Sequence, residues 1–114
     1  MPSYRVTVDI DGVRPGVPPQ DVLPAAEAIL AKTHVVEDRL LDVADPASAR
    51  PRPQVHLRFA VPISERDAED AEARAVVRLL VDELDDVARC GAWLLRRGPG
   101  RRWIPVASGG PTPD

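Results

Sequence analysis

Residues 55–87, VHLRFAVPISERDAEDAEARAVVRLLVDELDDV, decide the fold of this chain. Val55, Leu57, Phe59 and Val61 alternate with His56, Arg58 and Ala60, the period-two pattern of a strand with one buried face. Ser64 then opens a helix, with Asp67 in the capping-box position three residues on and Glu65 near the positive end of the helix dipole. Ala68, Ala71, Ala75, Val76, Leu79, Leu80, Leu84 and Val87 recur at helical spacing. An apolar stripe of that length has to pack on a sheet. The outer face is acidic, with nine carboxylates against three arginines between Glu65 and Asp86. Arg89 falls near the expected helix C-terminus, where the dipole favours a cation.

Working outward, residues 4–10 also alternate, with Tyr4, Val6, Val8 and Ile10 on one face and Arg5, Thr7 and Asp9 on the other. This predicts a half-buried strand ended by a turn at Asp11-Gly12. Pro15, Gly16, Pro18 and Pro19 then enforce a loop. Asp21 is placed to cap a short helix running to about Lys32, with Pro24 in its first turn. Residues 35–44 fit neither period cleanly, and their β-branched content favours a strand. Residues 45–53, with three prolines, read as an extended connection.

Downstream, Trp93-Leu94-Leu95 enters and Trp103-Ile104-Pro105-Val106 leaves a turn built on Arg96, Arg97, Gly98, Pro99, Gly100, Arg101 and Arg102. Pro105 cannot donate to a ladder, which puts this last strand at an edge. The order strand, helix, strand, strand, helix, strand predicts an α+β fold on the ferredoxin-like split βαββαβ plan. That plan is an antiparallel sheet with two helices on one face, here with a C-terminal hairpin extension. Right-handed crossovers place the first and third strands side by side at its centre. A rearranged α+β sandwich is the alternative. Residues 1–107 are expected to form a single domain, with 108–114 as a disordered tail.

Composition bounds the function. A chain of 114 residues fits one domain. Its net charge of -3 argues against general nucleic-acid affinity, which needs a basic footprint. Cys90 is the single cysteine, so neither an internal disulfide nor a multi-cysteine zinc site is available. No apolar run approaches the eighteen or so residues of a membrane span, and no leader pattern precedes the first strand, so a cytoplasmic protein is expected.

No catalytic, metal or cofactor signature stands out. Asp9-Ile10-Asp11-Gly12 resembles the nucleophile motif of the haloacid dehalogenase family, over about eight residues; the resemblance implies a phosphorylated Asp9 and Asp11 as acid and base. The alternating strand, the short chain and the lone lysine, Lys32, depart from that family, and an Asp-Gly turn accounts for the motif. His34, Glu37 and Asp38 are metal-ligand types at a spacing that matches no ligand pattern. Cys90 lacks the local context of a nucleophile. With the first and third strands adjacent, Arg5, Thr7, Asp9, His56 and Arg58 share the open face of the sheet. RNA-binding sheets stack bases on exposed aromatics there, whereas Tyr4 and Phe59 fall on the helix side.

The expectation is therefore a non-enzymatic interaction or ligand-binding module and homodimer. It would use the polar sheet face (Arg5, His56, Arg58) and the arginine turn (Arg96, Arg97, Arg101, Arg102) to hold an acidic protein or an anionic ligand. The same arginines would also keep an edge hairpin from mispairing. The alternatives are an enzyme or small-ligand protein with a pocket near His56 as general base, and a weak polyanion binder acting through the turn alone.

Overall fold

The structure, a computed structural model, describes residues 1–111. Strand β1 spans Ser3–Val13, helix α1 Val22–Ala31, β2 Val35–Ala44, β3 Arg52–Ala60, helix α2 Arg66–Leu84, β4 Ala88–Gly98 and β5 Ile104–Gly109. The five strands form one sheet in the order β2-β3-β1-β4-β5, and every neighbouring pair is antiparallel. The fold is α+β, with β1 and β3 side by side. The strand containing Pro105 lies at an edge.

The even residues of β1 and the odd residues of β3 supply the sheet side of one core. Tyr4, Val6, Val8, Val55, Leu57 and Phe59 are fully buried there. Val22, Ala26 and Leu30 of α1 and Ala73, Val77, Leu80 and Leu84 of α2 close over them in the same apolar cluster. The buried stripe of α2 is rotated from the expected one: Ala71, Ala75 and Leu79 face solvent. Alanine is small enough to suit either side of a helix, so packing of Val77, Leu80 and Leu84 into one cluster with the sheet and α1 decides which side is buried.

Several boundaries differ from the expected ones. Asp11-Gly12 is no turn: β1 passes through it to Val13, with two irregularities in its register against β4. Helix α2 stops at Leu84 instead of reaching Val87, because the chain turns to enter β4, which absorbs Ala88 to Cys90. The cation at the end of α2 is consequently Arg14, not Arg89: its Nε donates to the Asp85 carbonyl at 2.8 Å and its Nη2 meets Asp85 Oδ1 at 2.7 Å. Asp21 occupies the N-cap position of α1 without a side-chain cap. At the start of α2 the expected capping box is displaced, and Glu69 Oε2 accepts the Ser64 N–H at 2.9 Å. Arg52 and Pro53 pair with Ala44 and Val43, so the connection after β2 is shorter than expected. Ser108 and Gly109, expected in the tail, instead pair with Leu94 and Trp93 in β5; residues 112–114 lie outside the described residues.

Candidate functional site: an arginine row on the open sheet face

The face of the sheet away from the helices carries its polar residues in rows set by register. Arg58 of β3, Arg5 of β1 and Arg96 of β4 are direct cross-strand partners in one row. His56, Thr7 and Leu94 form the next row, and Gln54 and Asp9 the one beyond. Three like charges side by side oppose sheet pairing. The opposition is only partly relieved.

Arg58 Nε donates to Glu37 Oε1 at 3.1 Å. The same Glu37 oxygen accepts the Ser3 hydroxyl at 2.5 Å. The Ser3 hydrogen bond holds the Glu37 carboxyl below its ordinary range, burial opposes this, and Arg58 reinforces it. Trp103 lies across the row, its ring centre 4.9 Å from the Arg5 guanidinium and 5.3 Å from that of Arg58. Among the described residues neither Arg5 nor Arg96 has a carboxylate in ion-pair range.

His56 sits beside this row. Its Nδ1 is 3.1 Å from Thr7 Oγ1, and its Nε2 is buried with no hydrogen-bond partner among the described residues. Burial lowers its pKa; Asp42 opposes the shift, and Arg5 and Arg96 add to it. The imidazole is therefore neutral at neutral pH.

Two shallow concavities flank it. One, of about 250 Å³, is lined by Arg5, Asp38, Leu40, Asp42, His56 and Arg58. The other, of about 300 Å³, includes Thr7, Asp9, Gln54, His56, Leu94 and Arg96. Asp9 is engaged already, accepting from Gln54 Nε2 at 2.7 Å with Arg52 Nη1 at 3.7 Å.

Of the residues expected to bind, Arg5, His56, Arg58 and Arg96 are brought together. Arg101 and Arg102 stand exposed in the turn and line neither concavity. Arg97 is turned to the other face. It pairs with Tyr4 across β1 and β4, donates to Tyr4 Oη at 2.6 Å and Asp70 Oδ1 at 3.0 Å, and meets Glu69 Oε1 at 2.7 Å. Tyr4 in turn donates to Asp70. Consecutive residues on a strand point to opposite faces, so Arg96 and Arg97 cannot serve one surface.

The remaining reactive groups are committed elsewhere. His34 Nε2 lies 3.1 Å from Glu72, away from the Glu37 engaged with Ser3 and Arg58. Burial pushes the Cys90 thiol up to about 11, which keeps it protonated.

Two features of the site were not expected from the sequence: the wall formed by Asp38, Leu40 and Asp42 of β2, and the cover formed by Trp103. Gly98 makes the second possible, because a Cβ there would stand 2.6 Å from Trp103 Cε3. In a Trp93→Phe background, Gly98→Ala is expected to push the Trp103 indole off the arginines and red-shift its emission. An unchanged spectrum would mean that the indole does not rest on Gly98.

No family model and no curated protein matches the chain. Among solved structures, a phage SAM lyase in its apo state has a similar fold, with a TM-score of 0.54 and 12% sequence identity over 98% of this chain and 89% of that one. At that identity the likeness concerns the fold.

Proposed function

We propose that this protein is a non-enzymatic ligand-binding module whose open sheet face takes an anionic group between Arg5, Arg96 and His56. One observation carries the reading: among the described residues the buried Nε2 of His56 has no partner, and the two arginines beside it have no carboxylate in ion-pair range. A bound carboxylate or phosphate would neutralise the neighbouring arginines and remove the like-charge repulsion of the row, and a shift of the side chains covering Nε2 would let it accept from that nitrogen as well. Arg58, already paired with Glu37, and Trp103 complete the rim. We also infer a ferredoxin-like split βαβ plan with β5 added outside β4, and a cytoplasmic chain that self-associates. The backbone edge of β2, the outer strand of the sheet, is unpaired among the described residues and supports self-association.

The test uses inorganic phosphate, pyrophosphate and citrate as probes, followed by the ¹⁵N shifts of His56 and by melting temperature. At least one probe is expected to raise the His56 pKa, since a nearby anion favours the imidazolium. At a hundred times its dissociation constant it should raise the melting temperature by about 10 °C. Both responses are expected to vanish in Arg5→Ser/Arg96→Ser. Silence of His56 towards every probe, or a response that survives the double substitution, refutes the site.

A second reading, catalysis with His56 as general base, rests on the same free Nε2 and lowered pKa. Against it, Asp9 is engaged by Gln54 and Arg52 and Arg58 by Glu37, which leaves neither free to act beside His56. Polyanion binding through the turn alone is weakened by the loss of Arg97 to the helix side.

A further inference from the structure

A cleft of about 900 Å³ opens at the end of the sheet, where β2 and β3 run past the start of α1. Ile10, Val13, Val22, Leu41 and Val43 give it apolar walls. Its size falls within the roughly 300–1,000 Å³ of small-molecule sites, and mostly apolar walls with few polar groups are the usual composition of such sites. Leu41 and Val43 are 45% and 42% exposed, so this surface stands in water.

The border is cationic. Arg50 and Arg52 line the cleft and are exposed. Arg52 is only loosely engaged, 3.4 Å from Asp45 and 3.7 Å from Asp9, and Arg50 forms no ion pair among the described residues. The one carboxylate of the lining, Asp11, lies against β4: a Cβ on Gly91 would stand 2.7 Å from its Oδ1. Apolar walls and an uncompensated guanidinium thus meet in one concavity.

We infer that this cleft is a second binding site, distinct from the arginine row, for an amphipathic anion. An apolar body seats on Val22, Leu41 and Val43, and a carboxylate or phosphate head is held by Arg50 with Arg52. Guanidinium forks suit either head.

The probe is 1-anilinonaphthalene-8-sulfonate, titrated into the full chain with near-ultraviolet circular dichroism run alongside to report an intact fold. One saturable site is expected. Val43→Asp should abolish it, and Arg50→Glu, on an exposed connection, should weaken it about tenfold. Arg5→Ser/Arg96→Ser should leave it unchanged, so failure of this site and failure of the sheet-face site are separable.

Decanoate and decyl phosphate are expected to displace the dye, and the stronger competitor identifies the head. Displacement by decanol as good as by either anion would overturn the anionic class. Absent or non-saturable binding, or binding that survives Arg50→Glu at full strength, overturns the site, whether or not Val43→Asp folds.

Discussion

Arg97→Met is expected to lower the melting temperature by about 10 °C, while Arg96→Met, one residue away, changes it by no more than about 2 °C. Arg97 ties three elements together. Its guanidinium holds Glu69 and Asp70 at the start of α2, donates to Tyr4 of β1, and lies 5.5 Å from the centre of the Tyr4 ring. Glu69 is only 4% exposed, and its other carboxylate oxygen is spent on the Ser64 N–H. Without Arg97 that carboxylate stays buried without its counter-charge, a situation far costlier than the loss of a surface pair. Loss of the contacts to Tyr4, Asp70 and Glu69 together accounts for the expected drop. Arg96, in contrast, leaves a row of like charges when removed. Thermal melts of the two variants at low protein concentration decide the matter. Equal drops would show that the Arg97 cluster contributes nothing special.

Acid is expected to unfold the protein through the same cluster. The Ser64 N–H and then Arg97 hold Glu69 below its usual range. Burial raises Asp70, but hydrogen bonds from Tyr4 and Arg97 outweigh it and leave its carboxyl lowered as well. Both carboxyls therefore protonate more readily in the unfolded chain than in the folded one. Their contribution is complete above the unfolded values of roughly 4 and is lost as pH falls through the lower folded values. The urea midpoint should hold steady from pH 7 to about 5 and then fall steadily towards pH 2.5. In Arg97→Met the decline should be shallower, because the guanidinium that depresses both carboxyls is gone. Parallel profiles for the two proteins would place the acid sensitivity elsewhere, with Glu37 as the next carboxyl to examine.

The Arg97 cluster was only partly legible in the sequence. Tyr4 reads as lying on the helix side of its strand, but nothing local to it names a partner for its hydroxyl, because Asp70 and Arg97 are 66 and 93 residues away along the chain. The strand entering the arginine turn reads as ending at Leu95, since arginine and glycine carry no period of their own. Once β4 is seen to continue to Gly98, alternation alone sends Arg96 and Arg97 to opposite faces. Helix α2 shows the converse difficulty. Its alanines satisfied two overlapping stripes, and only contact with Leu30, Phe59 and their neighbours selects the one through Val77, Leu80 and Leu84.

The chain by itself determined the elements of the α+β sheet and which side of β1 and β3 is wet. Alternation and helical spacing are local, and burial of an apolar face follows from them without knowledge of what covers it. Only the tertiary structure decided which charges meet. The row of Arg58, Arg5 and Arg96, the free Nε2 of His56 between two concavities, the indole of Trp103 over the guanidiniums and the cleft beside Arg50 all depend on strand register and on loops returning from distant positions. Electrostatic partners act through space at a few ångströms, and their separation along the chain leaves no periodic trace to read.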